Sequence, residues 1–302
     1  MNKFTLLSSS LLLTFGLISC GGDDDGTPPP PPVVYQNSVP EFFDSSEVSV
    51  YGADAPEQQV IADQSTGLDH PNDLSFHSFE DRKNELWVLC PGAENIGAHT
   101  VTYYDALTDP SNYERLRDGN AYHFMALATA LDFGENGNFA TSQGILDANR
   151  RGINFTGPTL WSSDMSIYAK VGTNPTQQVN GSHLDMVHQS PMGMGIAHEK
   201  DNVYWTFDGF HNDVVRYDFA QPHYPGGDDH SDAIVSRYIG FGDEKLKMST
   251  NTTIPSHLYM DKETGWLYIC DTGNKRVLKM NTASGNEANG FTVGRMHGEP
   301  LA

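Results

Sequence analysis

The chain has 302 residues, with 18 basic side chains against 39 acidic ones and a formal net charge of −21. A surface this acidic repels polyanions, which argues against nucleic acid or anionic lipid headgroups as direct partners and suits cations. Three cysteines in the whole chain are too few for a disulfide framework.

The first residues, MNKFTLLSSSLLLTFGLISC, place one basic residue, Lys3, before a short apolar run rich in Leu and Phe. A basic start, a short apolar core and small residues form a secretory signal rather than a membrane span. Leu17-Ile18-Ser19-Cys20 resembles the bacterial lipobox. That resemblance implies a signal peptide over residues 1–19, cleavage before Cys20, and acyl chains on Cys20 that anchor the protein to a membrane. Residues 20–40 then read as a tether: the acidic triplet Asp23 to Asp25 is solvated, and Pro28 to Pro32 form a stiff polyproline II spacer. The triplet is similar to surface-export signals of some bacterial lipoproteins. The expected location is therefore the bacterial cell envelope, at the outer membrane or cell surface rather than the inner membrane.

Residues 41–302 are long enough for one large domain. Gly, Pro, Asn and Asp punctuate short runs of β-branched and aromatic residues, and no stretch keeps an apolar period of 3.6 for three turns. The chain reads as all-β. Four segments share a plan of strand, polar turn, strand, polar loop and third strand. They begin at Pro71, Ala128, Pro191 and Pro255, which are 57, 63 and 64 residues apart. Such spacing predicts a β-propeller with three or four strands per blade.

The last unit, IPSHLYMDKETGWLYICDTGNKRVLKM, and the HNDVVRYDF end of the third resemble the NHL repeat. In this reading Asp271 to Arg276 is an inter-strand turn in which Asp271 and Arg276 support each other. NHL propellers commonly have six blades, whereas this length fits four to five. Either the ring closes with fewer blades or the chain stops short of a full ring at its C-terminus; the second is expected.

Propeller sites usually lie at the mouth of the central channel. His70, His123, His188 and His257 fall near blade entries. Of these, His70, His188 and His257 are candidate ligands for zinc or another transition metal. In HLDMVH, His183 and Asp185 share a face of an extended strand, with His188 close by. The chain is distantly similar to the peptide-amidating lyase propeller, a zinc enzyme: His257 matches one zinc-binding His, but Phe210 and Thr272 replace that family's Tyr and Arg. It is similar also to gluconolactonase-type propellers, whose Pro-Asn-Asp motif matches Asn72 and Asp73. That resemblance implies a calcium alternative using Asn72, Asp73 and Asp271, although Met192 and Ser256 replace the family's other Asn-Gly blade start. The acidic loop YPGGDDHSD offers Asp228, Asp229 and Asp232 as a further cation site. Cys90 and Cys270 occupy equivalent strand ends and are expected to be free, buried thiols. The function expected is a lipid-anchored binding or scaffold module for a protein, peptide or glycan. The alternative is a metal-dependent propeller enzyme, lactonase-like or amidating-lyase-like, with its site in the channel.

Overall fold

The computed structural model describes residues 60–152, 154–171, 180–239, 241, 246–248 and 256–286. The expected signal peptide, Cys20 and the expected tether lie outside them. The described residues form an all-β propeller with a single four-residue α-helix, α1 (Ala121–Phe124).

The fifteen strands fall into successive antiparallel sheets in strict chain order. The first sheet holds β1 (Asp73–Phe76), β2 (Leu86–Ala93), β3 (Gly97–Asp105) and β4 (Asp109–Leu116). The second holds β5 (Ala128–Phe133), β6 (Asn138–Gln143), β7 (Thr159–Ser162) and β8 (His183–Met186). The third holds β9 (Gly193–Lys200), β10 (Val203–Asp208), β11 (Asp213–Asp218) and β12 (Ile234–Tyr238). The fourth holds β13 (Leu258–Asp261), β14 (Trp266–Asp271) and β15 (Arg276–Asn281). The leading strands β1, β5, β9 and β13 pack against one another in that order. This arrangement, with first strands inside and later strands outward, is a propeller built blade by blade.

The cores lie between blades, because alternate residues of each strand face opposite neighbours. Trp87 and Leu89 of the first blade join Phe133, Phe139, Trp161 and Tyr168 in one cluster between the first and second blades. Ala140 and Leu160 turn the other way, onto Tyr204, Val215 and Tyr217 of the third. Trp205, Phe207 and Val214 then meet Leu258, Leu267 and Ile269 of the fourth. Leu86, Val88, Val101 and Tyr103 occupy the far face of the first blade, covered by Ile61, Ala62 and Leu68.

Polar contacts fasten the same seams. Asp73 Oδ2 accepts from the Leu131 amide at 2.7 Å, and Asp132 Oδ2 accepts from the His198 amide at 2.8 Å. The inner strands of the first and second blades thus each present a carboxylate to the next blade. His77 Nδ1 accepts from the Phe79 amide, so its Nε2–H donates to Ser163 Oγ at 2.7 Å across the first seam.

The hairpin closing the fourth blade turns through a 3-10 segment, Thr272–Asn274, with Lys275 at φ 58°. Asp271 is buried there; its Oδ2 accepts from Arg276 Nε at 2.7 Å and from Asn274 Nδ2 at 2.8 Å, and its Oδ1 from the Lys247 amide at 2.7 Å. Both cysteines among the described residues are free, but Cys270 is exposed whereas Cys90 is buried. The expectation of two buried thiols is corrected by the pleat of β14. Leu267 and Ile269 face the third blade, which turns Cys270 to the opposite face.

Candidate functional site

The inner strands of all four blades surround an open cleft of about 870 Å³. Asp73, Asp132, His198, His257, Lys262 and Tyr259 are among its lining residues. A volume of this size lies within the roughly 300–1,000 Å³ range of small-ligand sites. Tyr259 is 68% exposed and Leu74 60%, so apolar surface stands open at its rim.

The ionisable groups of the cleft are mostly committed to the scaffold. Asp73 accepts from the Leu74 amide as well as from Leu131, and Asp132 accepts from the Phe133 amide as well as from His198. Burial pushes both carboxyls above the usual range, against those hydrogen bonds. Asp261 caps its own turn through the amides of Glu263 and Thr264. His198 donates Nε2–H to the Asp201 carbonyl at 3.0 Å and takes a hydrogen bond from Lys262 Nζ on Nδ1 at 2.7 Å. Burial holds its imidazole below the usual pKa, in the neutral form.

The residues expected at a channel metal are spread over different structural tasks. His70 is solvent-exposed beside Asp69, with Nδ1 2.6 Å from Oδ1. His257 lines the cleft, but its Nδ1 accepts from the Leu258 amide at 2.7 Å. His188 is buried elsewhere, stacked on Phe155 with ring centroids 3.6 Å apart. Asn72 donates Nδ2–H to the Ala128 carbonyl at 2.9 Å, another inter-blade seam. Every oxygen of Asp73 and Asp271 already accepts from an N–H group. The calcium set Asn72, Asp73 and Asp271 is thus occupied as structural fastenings and does not fit a metal cage as it stands. In the acidic loop, Asp228, Asp229 and Asp232 are exposed. Asp229 Oδ1 accepts from the Ser231 amide and hydroxyl, and Asp232 Oδ2 from the Gln221 amide.

Imidazoles do gather, but away from the cleft. Among the described residues, one set of three potential ligands brings its donor atoms within 4.8 Å of one another: His183, His223 and His230. His183 and its neighbour Asp185 belong to the HLDMVH segment. His223 carries no sequence signal and His230 appears only within the acidic loop YPGGDDHSD, and their partner lies on another blade.

No family model and no curated protein matches the chain. Among solved structures, an auxiliary nutrient binding protein from Bacteroides ovatus is similar at 12% identity and TM-score 0.41, over 71% of this chain and 39% of that one. The hydrazine synthase of Kuenenia stuttgartiensis is similar at 10% identity and TM-score 0.41, over 70% of this chain and 59% of that one. Virginiamycin B lyase from Staphylococcus aureus is similar at 10% identity and TM-score 0.33, over 71% of each. The chain therefore spans less than two thirds of the first two. These likenesses concern the course of the chain alone. The sheet order, the inner-strand packing and the cleft define the class: a β-propeller with an open central cleft.

Proposed function

We propose that the protein is a lipid-anchored, NHL-type propeller of the bacterial cell envelope that acts as a binding module, with the central cleft as its ligand face. The observation that carries this reading is the division of labour within the cleft. The carboxylates Asp73, Asp132 and Asp261 hold backbone amides, and His198 is locked between Lys262 and a carbonyl, while Tyr259 and Leu74 stand exposed at the rim. An apolar, aromatic rim over a rigid polar floor suits recognition of an extended peptide or a glycan by stacking and shape. The anchor at Cys20, on a stiff spacer, would hold that face at the outer membrane or cell surface, clear of the lipid headgroups.

The test is a screen of the purified protein on peptide and glycan arrays, followed by affinity measurement for the best ligand. Tyr259→Ala and Leu74→Ala are expected to weaken binding at least about tenfold while leaving the fold intact, since both side chains are largely exposed. Unchanged affinity in both variants would overturn the assignment of the cleft. Incorporation of a palmitate analogue in the producing cell, abolished by Cys20→Ser, is the expected result for the anchor. Incorporation that survives that change would overturn it.

A further inference from the structure

His183 begins β8, the outer strand of the second blade, whereas His223 and His230 belong to the loop joining β11 to β12 in the third. The loop is tied along β8 by backbone hydrogen bonds. The His223 amide donates to the Leu184 carbonyl at 3.1 Å, and the Gly226 amide to the His183 carbonyl at 2.8 Å. Three imidazoles from two blades thereby meet at one seam: ring centroids of His183 and His223 are 4.9 Å apart, and those of His223 and His230 5.1 Å.

Each ring has one nitrogen facing an acceptor. His183 Nδ1–H donates to the Asn180 carbonyl at 2.8 Å, and His223 Nδ1–H donates to the Tyr224 carbonyl at 2.7 Å. His230 Nδ1 lies 2.8 Å from Asp185 Oδ1 and 3.3 Å from the Met186 amide. In His183 and His223 the tautomer is thus fixed with Nε2 carrying a lone pair. His183 Nε2, His223 Nε2 and Asp185 Oδ2 are buried atoms with no hydrogen-bond partner. His183 and Asp185 are themselves wholly buried, and Phe124 stacks on the His183 ring at 3.8 Å. Two imidazoles oriented by carbonyls, with unshared nitrogens, converge beside a third held by a carboxylate, the outer-shell arrangement of a His-rich metal centre.

We propose that His183, His223 and His230 bind one divalent transition-metal ion of the zinc class, with Asp185 orienting His230. The neutral nitrogen donors select against calcium and magnesium, which take oxygen ligands. Asp185 Oδ2 is left to accept from a fourth, exchangeable ligand such as water. The ion would pin the β11–β12 loop to β8 and join two blades at their outer edge. This assignment is independent of the ligand face proposed for the cleft.

Elemental analysis of the full mature chain, purified without chelator and equilibrated with micromolar zinc, should give about one equivalent per chain. Cobalt(II) substitution should give the intense visible bands of a four-coordinate nitrogen-rich site. His223→Ala, in a half-exposed loop position, should lower zinc affinity at least tenfold, and His183→Ala should abolish stoichiometric binding. His257→Ala and Tyr259→Ala, in the cleft, should leave zinc content unchanged. Absence of stoichiometric zinc in the folded wild type would overturn the site, as would retention of wild-type affinity in folded His223→Ala. Should His183→Ala fail to fold, the His223→Ala affinity and the cobalt spectrum of the wild type still decide the matter.

Discussion

Asp213 shares one guanidinium with a second carboxylate. Arg237 Nη1 lies 2.7 Å from Asp208 Oδ2 and 2.5 Å from Asp213 Oδ1, all three groups being buried. His211 Nδ1 reaches the same Asp208 oxygen at 2.7 Å. Burial pushes the Asp213 carboxyl up to about 7, and the neighbouring Asp208 adds to this against the pull of Arg237. A carboxyl whose pKa is higher folded than unfolded binds its proton more tightly in the native state. Its contribution to stability is therefore full at low pH and is lost as pH rises from about 4, the unfolded value, to about 7. Asp213→Asn keeps an acceptor for Arg237 and removes the titration. The expected outcome is a flatter stability curve between pH 4 and 7, measured by urea unfolding, with the difference from wild type changing by about 4 kcal/mol across that window. Parallel curves would mean that Asp213 ionises normally.

At the scale of the element, the second blade shows what the sequence could and could not reveal. Its strands β5 and β6 were legible because apolar residues alternate and GENG marks the turn between them. Of the outer strands, β8 was marked as an extended segment by HLDMVH, whereas β4 and β12 were not. The partly solvated strands β4 and β12 have no simple alternating apolar face, and β8 follows a long excursion after β7. The blade period could be read from turns and aromatics, but a contact between β8 and the β11–β12 loop depends on how two blades stack. For that reason His183 and Asp185 stood out in sequence as a pair, while His223 did not and His230 was visible only as part of the acidic loop YPGGDDHSD. The approach to β7 has a further constraint that no local pattern announces. A Cβ on Gly157 would lie 1.7 Å from the Val187 carbonyl oxygen, on the segment leading out of β8. Gly152 is different: its φ is +73°, but a Cβ would meet no atom within 4 Å. Gly152→Ala should cost about 1 kcal/mol through backbone strain alone, whereas Gly157→Ala must separate two packed segments and should cost at least about 3 kcal/mol. Melting of the two variants side by side checks the order; equal losses would show that the Gly157 crossing relaxes freely.

For the molecule as a whole, the question is whether the blades open together. The second and third sheets are packed on both faces by neighbouring blades: Trp87 and Trp161 meet at the first seam, Tyr204 and Tyr217 pack at the second, and Trp205 at the third. The inner-strand carboxylates repeat this coupling in polar form, Asp73 onto the second blade and Asp132 onto the third. A blade detached from one neighbour exposes a face that cannot be solvated cheaply, so opening one seam should weaken the next. Cys90 offers a reporter, because it is buried in β2 of the first blade, remote in sequence from the seam that Asp132 closes. Asp132→Asn places an amide donor against the amides of Phe133 or His198, which should cost about 1–3 kcal/mol. If unfolding is cooperative across blades, maleimide labelling of Cys90 in low urea should accelerate about tenfold in this variant, since 1.4 kcal/mol corresponds to a factor of ten in the open population. Cys270, exposed in the native state, should react at once in both proteins and so calibrates the chemistry. Cys90 labelling that ignores Asp132→Asn while global stability falls would mean that the first blade opens independently of the second and third.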